Sequence, residues 1–354
     1  MHRKICESWI DWLISLRVTV TCRGYLMGFA ELTLTSWGSP LLLIWSIFLL
    51  DLWFGDPVYR FHPIRLIGSL LSYLERWLYA RGWNGYVGGI LLGLLLLGIV
   101  LGCYFILQGF LNDLHPIFGW GVDLFLGYSL LALRDLEIHG LRVWQATTDS
   151  NLMKAREEAA QLVGRDVKEL DLTGCNRATL ESLSENLSDG VASPLFWLTL
   201  GGIPSMLAFK VISTMDSMVG YRNDPYLSFG WFGARADDLM NWMPARLTWV
   251  MLSISAWILP GYDARMAWSI GLSQNQYMPG PNAGWGQAAS AGALRVRLVG
   301  EKWKNGRLQH NVWLGYPDDS AEVGADSIPK LIRLNRYATL LLLIIISLLI
   351  AIFN

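Results

Sequence analysis

Two long runs of uncharged, apolar residues limit this chain more than any other feature of its sequence. They cover residues 86–110 and 337–353, and neither contains Asp, Glu, Lys or Arg. A helix that crosses a bilayer needs about 20 mostly apolar residues. Both runs are therefore predicted to span a membrane, and Arg333 and Arg336, just before the second run, are typical of anchors at the membrane interface.

Weaker apolar stretches raise the expected number of spanning helices to about five or six. These stretches are residues 40–54, 117–133, 191–212 and 247–262. Hydrophobic residues make up 53% of the chain and charged residues 16%, against about 45–50% and 25% in soluble domains. The sequence thus predicts an all-α, polytopic integral membrane protein with helical cytosolic segments. Its 18 tryptophans fit membrane interfaces, and they fit loops around a large planar ligand equally well.

Several classes of function are disfavoured by what the sequence lacks. The formal net charge is −1, so no basic field exists to attract nucleic acid. The four cysteines, at positions 6, 22, 103 and 175, show no C-x-x-C spacing, which argues against a zinc site or a disulfide framework and favours a reducing compartment. The motifs G-x-x-x-x-G-K-[ST], G-x-G-x-x-G and H-E-x-x-H are also absent, so a bound nucleotide would need a non-standard site.

The chain divides into an N-terminal extension and a single membrane domain. Residues 1–38 carry scattered arginines and no apolar core with a cleavage site. We interpret them either as an interfacial helix or, if translation begins at Met27, as a stretch whose first 26 residues are not part of the protein. Residues 39–353 form the predicted membrane domain, whose polar segments are 134–190, 216–246 and 273–329. The last of these is rich in Gly, Pro and Asn and is expected to form loops around one helix.

An acidic stripe is the first candidate site. On a helix that turns 100° per residue, Glu181, Glu185 and Asp189 project within an arc of about 80°. Carboxylate oxygens are the ligands that Mg²⁺ prefers, so the stripe is interpreted as a magnesium or metal–polyphosphate site. The alternative is a solvated helix face. The apolar run that follows at residue 191 places the stripe at a membrane boundary, where acids without a role are costly.

A second acidic pair lies between two arginines. Adjacent helical residues point about 100° apart, so only one of Asp237 and Asp238 can face a given site. Arg235 and Arg246 flank the pair together with Asn241, and arginine forks match the geometry of phosphate or carboxylate groups. The pattern indicates a site for an anionic substrate, or alternatively a helix with ordinary surface ion pairs.

A third cluster follows the first apolar stretch. Asp51, Asp56, His62 and Arg65 occur within DLWFGDPVYRFHPIRLIG, in which Gly55 and two prolines end the preceding helix. An ordered turn at the membrane interface is therefore expected to hold Asp56 and His62. A histidine between an acid and an arginine is interpreted as catalytic, with a structural role as the alternative.

Five ordered sequence blocks resemble the CobD/CbiB family of cobalamin biosynthesis, the membrane-bound adenosylcobinamide-phosphate synthases. The blocks are DLWFGDPVYRFHPIRLIG, AREEAAQLVGRDVKELD, ESLSENLSDGVASPLFW, STMDSMVGYRN with FGWFGARADDLMNWMPARLT, and PGPNAGWGQAASAGAL. The resemblance extends over roughly residues 42–353. Two features depart from the family pattern: residues 1–38 have no recognised counterpart, and Ser213 stands where the family usually has asparagine.

The resemblance implies an ATP-dependent amide ligation. Adenosylcobyric acid would be joined to (R)-1-aminopropan-2-ol or its O-phosphate, with ATP and Mg²⁺ as cofactors, and other corrinoid-pathway enzymes are possible partners. Mg²⁺ would bind to Glu181, Glu185 and Asp189, and Asp56, His62, Asp237 and Asp238 would form the catalytic set. The substrates and ATP would contact Arg65, Arg165, Asn186, Asp216, Arg235, Asn241, Arg246 and Asn282.

A transporter or membrane sensor is the competing interpretation. Transporters place ionisable groups near the middle of the membrane in broken helices, whereas most acids here are expected in long polar loops. An enzyme that uses cytosolic substrates would lie in the cell (plasma) membrane with its catalytic loops in the cytoplasm. Lysine and arginine counts favour this orientation for segments 134–190 and 291–336, which hold seven and eight basic residues.

Overall fold

The computed structural model describes residues 39–56, 59–164, 166–304 and 307–353. The predictions made for residues 1–38 and for Arg165 fall outside this part of the chain. Within it the chain is helical, except for one antiparallel hairpin and the connecting loops. The predicted all-α class is confirmed.

The described helices range from 4 to 29 residues. They are α1 (Pro40–Phe54), α2 (Pro63–Tyr79), α3 (Tyr86–Leu114), α4 (Pro116–Ser129), α5 (Leu133–Thr148), α6 (Leu152–Leu162), α7 (Leu172–Leu187), α8 (Ser193–Val219), α9 (Tyr226–Phe229), α10 (Trp231–Met240), α11 (Trp242–Ile258), α12 (Ala264–Gln274), α13 (Ala283–Leu294) and α14 (Ser327–Phe353). Proline opens α1, α2 and α4, because its fixed φ suits the first turn and its missing N–H has no partner there.

Four helical stretches of the described chain are long and apolar enough to cross a membrane. They are Tyr86–Leu114, Pro116–Thr148, Leu172–Val219 and Ser327–Ile352, and the shorter apolar helix α1 accompanies them. Large apolar side chains such as Ile106 and Ile352 are 76% and 72% exposed, as expected for surfaces that face lipid. The polytopic membrane class is therefore supported, although a total of five or six spans would require the shorter helices α1 and α11 to cross as well.

The stretch Leu172–Val219 is broken twice. A π-turn at Ser188–Ala192 separates α7 from α8. Pro194 explains this turn, because a proline ring clashes with the carbonyl four residues earlier and cannot donate a helical hydrogen bond. Further along, Gly201 and Gly202 leave helical geometry, and Gly202 has a φ of +66° that favours glycine. The sequence SDGVASP and the Gly–Gly pair thus bend the chain next to the predicted acidic stripe.

A buried apolar cluster and a close glycine contact hold the segment before α10 against the membrane helices. Helices α2, α3, α8 and α9 share a buried cluster that includes Leu71, Leu92, Met215 and Phe229. On α3, Gly89 lies against the backbone of Phe229, and a Cβ atom there would overlap its carbonyl oxygen. Glycine on α3 therefore lets the segment leading into α10 approach the membrane helices closely.

The segment 273–329 was expected to form loops around one helix, and this prediction was incomplete. In the structure it holds α13, but also strands β1 (Leu298–Lys304) and β2 (Arg307–Leu314), which pair as an antiparallel hairpin. The strand alternation was masked by charged residues and by Gly300 within β1. The hairpin itself lies outside the four long apolar stretches, and it contacts α7 and α13.

Candidate functional site

Four carboxylates interact electrostatically beside the broken stretch, and three of them act on the fourth, Asp189. Glu185 ends α7, Asp189 lies in the π-turn, Asp216 lies near the end of α8, and Asp237 lies on α10. The π-turn and the packing of α8 on α10 create this convergence. We call these four residues the acidic group.

Lys210 on α8 is the cation that acts most strongly within the acidic group. Its ammonium Nζ donates a hydrogen bond to the backbone carbonyl of Asp189 at 3.3 Å. It also interacts electrostatically with the carboxylates of Asp189, Asp237 and Asp56. The acidic group and the turn after α1 therefore meet at one lysine, which the sequence interpretation did not select as a site residue.

Asp237 on α10, outside the four long apolar stretches, has a strongly perturbed environment. Burial, followed by the neighbouring carboxylate of Asp216, raises its pKa to about 7, and a hydrogen bond from Asn241 opposes this rise. The Asn241 amide Nδ2 donates to Oδ2 of Asp237 at 3.0 Å and is itself oriented by the hydroxyl of Ser193. The other oxygen, Oδ1, is buried and accepts no hydrogen bond. A carboxyl group with a pKa near 7 can exchange a proton at neutral pH.

Asp238 points to different partners, as the angle between adjacent helical residues predicts. Its Oδ2 accepts a hydrogen bond from Arg235 at 3.2 Å, in an ion pair at the surface. Its backbone carbonyl accepts one from Asn282 at 2.8 Å. Arg235 and Asn282 therefore support α10 from its outer side. In this structure Asp238 forms an ordinary surface ion pair, which was the alternative interpretation of this acidic pair.

Asp56 and His62 form the pair expected in the turn after α1. Nε2 of His62 lies 2.8 Å from Oδ1 of Asp56, and Nδ1 of His62 accepts the backbone N–H of Ile64 at 3.3 Å. The acceptor role of Nδ1 places the proton of a neutral imidazole on Nε2. His62 therefore caps α2 and lies beside Asp56, although the two atoms do not have the geometry of a hydrogen bond. Arg65 is exposed on α2, and among the described residues its side chain forms no hydrogen bond or ion pair with Asp56 or His62.

Arg246 is held by aromatic rings. Its guanidinium carbon lies 4.1 Å from the ring centre of Trp242 and 4.9 Å from that of Trp285. Trp285 in turn lies 5.0 Å from Trp249, which packs at 4.2 Å on Trp268. This aromatic group covers one side of α11 and α13, and it supports either of the two roles considered for Arg246, an anion clamp or an interfacial anchor.

The predicted magnesium ligands are not brought together as a preformed cage. Across the described residues, no three His, Cys, Asp or Glu side chains converge as metal ligands do. Glu185 lies near Asp189, and its Oε2 accepts a hydrogen bond from Gln287 at 3.0 Å. Glu181 is buried earlier on α7, and Asn186 donates back to the carbonyl of Ser182. Mg²⁺ typically binds one or two carboxylates plus waters and substrate phosphates, and Glu185 with Asp189 fits that donor set.

Three ionisable residues of the site lie within one helical stretch. The sequence placed Asp189 on a helix at a membrane boundary, Lys210 near the end of a span and Asp216 in a polar segment. All three belong to the stretch Leu172–Val219, next to a π-turn and a glycine break. Ionisable groups beside broken helices also occur in transporters, so an activity assay has to separate the two interpretations. The sequence signal for this break was present in Pro194 and in the Gly201–Gly202 pair.

The fold and the site define a polytopic helical membrane protein with an acidic group beside a broken helix. Residues 44–335 match the family described as CobD/Cbib protein. The chain belongs to the CobD/CbiB family, as the resemblance of its five blocks predicted.

Similar curated proteins cover nearly the whole membrane domain. "Cobalamin biosynthesis protein CobD" of Yersinia enterocolitica is 39% identical over 87% of this chain and 97% of its own length. The protein of the same name from Photorhabdus laumondii is 37% identical over 90% and 98%. "Cobalamin biosynthesis protein CbiB" of Salmonella typhimurium is 34% identical over 85% and 95%. No solved structure matches the chain.

Proposed function

We propose that this protein acts in cobalamin biosynthesis as an ATP-dependent, amide-forming ligase of the membrane. It would join adenosylcobyric acid to (R)-1-aminopropan-2-ol or its O-phosphate and release adenosylcobinamide or its phosphate. Membership of the CobD/CbiB family supports the pathway, and the names of the curated relatives agree. The observation that carries the proposal is the acidic group around Lys210, because it gathers hard oxygen ligands, a proton acceptor and a cation in one place.

The proposed chemistry has two steps because a carboxylate is a poor electrophile. A carboxylate oxygen of adenosylcobyric acid attacks the γ-phosphorus of ATP, and ADP leaves. The amine nitrogen then attacks the activated carbonyl carbon, inorganic phosphate leaves, and the nitrogen loses a proton. Phosphoryl transfer of this kind depends mainly on positioning and on neutralising the phosphate oxygens, which bound Mg²⁺ would do.

Residues of this chain receive distinct roles in the proposal. Glu185 and Asp189 would hold Mg²⁺, since they are adjacent oxygen donors at the π-turn. Asp237 would accept the amine proton, because its Oδ1 has no hydrogen-bond partner and its pKa is raised to about 7. Arg235 and Arg246 remain the candidates for contacts with phosphate groups.

The decisive experiment is an assay of detergent-purified protein with adenosylcobyric acid, ATP, Mg²⁺ and each amine. Formation of a cobinamide product together with ADP supports the proposal, and the preferred amine follows from the two rates. Solubilised protein has no separate compartments, so a transporter would yield no product under these conditions. Absence of product with both amines, from protein that is folded and monodisperse, would reject the ligase.

The pH dependence of this assay tests Asp237. Asn241→Leu removes the hydrogen bond that lowers the pKa of Asp237, so the carboxyl group should hold its proton to a higher pH. The acidic limb of kcat/KM, expected near pH 7 in the wild type, should therefore move to higher pH in Asn241→Leu. Measurement of kcat/KM from pH 5.5 to 9 checks this, and the amine substrate, which also titrates, is common to both proteins. An unmoved limb would contradict Asp237 as the proton acceptor.

The cytoplasmic orientation of the site is also part of the proposal. Side chains of Asn176 and Arg177, at the start of α7, donate to the backbone carbonyls of Val323 and Ala321. The polar segments around residues 150–177 and 316–326 must then lie on the same side of the membrane. Reporter fusions after Ser150 and after Gly324 are expected to give cytoplasmic signals, and a periplasmic signal from either would contradict the arrangement.

A further inference from the structure

Lys210 is a charged residue in an apolar helix, and the sequence offered no role for it. It lies on α8 beyond the Gly201–Gly202 break, and its side chain is only partly exposed. A lysine inside a helical stretch that can cross a membrane is costly unless it meets charged or polar partners. Its partners here are the three carboxylates of Asp56, Asp189 and Asp237 and one backbone carbonyl.

The backbone carbonyl that Lys210 binds lacks a donor because of the local sequence. In the π-turn, the N–H of Ser193 donates to the carbonyl of Ser188, five residues earlier. The next bond of this pattern would run from residue 194 to the carbonyl of Asp189, but residue 194 is proline and has no N–H. The Lys210 ammonium occupies this place, with Nζ 3.3 Å from the Asp189 oxygen. A backbone carbonyl that is shielded from water costs free energy when it has no hydrogen-bond donor.

The position of Lys210 also joins parts of the site that are distant in sequence. Asp56 follows α1, Asp189 belongs to the π-turn, and Asp237 belongs to α10, yet all three act on the same ammonium group. A single cation among these carboxylates reduces their mutual repulsion. It therefore allows the turn that carries Asp189 to lie beside α10.

We propose that Lys210 is a positioning residue of this site, which fixes the π-turn through the Asp189 carbonyl and so holds the Asp189 carboxylate beside Asp237. This inference rests on the proposed amide ligation for its kinetic consequences. Lys210 acts through Asp189 and is not assigned a contact with the reacting atoms. Loss of its ammonium group should therefore lower turnover more than it weakens substrate binding.

The kinetic test compares Lys210→Met, Lys210→Arg and, as a control, Lys154→Met on the exposed face of α6. Lys210→Met should lower kcat about 100-fold, the scale of a misplaced catalytic group, with KM for the amine nearly unchanged. Lys210→Arg keeps a charged donor and should recover most of this loss, and Lys154→Met should behave as wild type. Wild-type kcat in Lys210→Met, or a loss confined to KM, would overturn the inference.

A second measurement does not depend on activity. Ser188 is buried at the start of the π-turn, so Ser188→Cys should react slowly with a maleimide, and peptide mass spectrometry separates it from the native cysteines. Addition of Lys210→Met should speed this labelling about tenfold or more, because opening of the turn then costs less, whereas Lys154→Met should leave it unchanged. Equal labelling rates would overturn the positioning role. A wild-type protein that forms no product would reject the ligase and leave the labelling result to judge Lys210.

Discussion

Asp237→Asn is expected to reduce kcat of the proposed ligation by about 10²- to 10⁴-fold, the range that a general base contributes. The amide keeps the size of the side chain and can still bond to Asn241, so folding should be preserved. It cannot accept the proton that the amine releases. Because substrate contacts are assigned to other residues, KM for ATP and for the amine should change little. Steady-state kinetics of purified protein in the adenosylcobyric acid assay measure both parameters.

Asp238→Asn is the matched control for this substitution. The two residues are adjacent on α10, and the same isosteric change is made in each. Asp238 pairs with Arg235 at the surface, and exposed ion pairs contribute only about 0–1 kcal/mol to stability, so this variant should retain most of the wild-type turnover. Comparable losses in both variants would mean that α10, rather than the Asp237 carboxylate, is what the site requires.

Local sequence patterns predicted helix ends and short turns, whose backbone depends on residues that are close in sequence. The apolar stretch proposed at residues 40–54 coincides with α1, because Pro40 starts the helix and Gly55 ends it. The Asp56–His62 contact was likewise anticipated from a turn rich in Gly and Pro. In both cases residues within a few positions of each other determine the backbone, so the local sequence contains the necessary information.

The acidic group required information that local patterns do not contain. Helical spacing placed Glu181, Glu185 and Asp189 on one stripe, but Asp189 has Asp237, Glu185, Lys210 and Asp216 as its main electrostatic neighbours. Two of these residues arrive from α8 and one from α10. Asp216, expected in a polar segment, continues α8 for a similar reason, because a helix can carry charged residues when they meet partners from other helices.

The largest expected effect on stability comes from Arg336, which was predicted to be an interfacial anchor. In the structure its Nε and one terminal nitrogen donate to the two oxygens of Glu137 at 2.8 and 2.6 Å. The Glu137 side chain is 2% exposed. Its second basic partner is Arg134, whose terminal nitrogen lies 3.3 Å from Oε2 of Glu137. The partners Glu137 and Arg336 are 199 positions apart, so no local pattern could pair them. This ion pair joins the buried carboxylate of Glu137 on α5 to the partly exposed guanidinium of Arg336 on α14.

Arg336→Met should therefore destabilise the protein by about 2 kcal/mol, because the buried Glu137 carboxylate loses most of its compensation. Loss of one partner of a fully buried ion pair typically costs about 3–5 kcal/mol. The estimate lies below that range because Arg336 is 40% exposed and Arg134 still contacts Glu137. Arg333→Met, three residues earlier on α14, removes an exposed arginine that lies 6.0 Å from the ring of Tyr337. Surface changes of that kind usually stay within about 0.5 kcal/mol. Chemical unfolding of the detergent-purified variants measures the difference, and equal stabilities would show that Arg336 serves as an interfacial anchor after all.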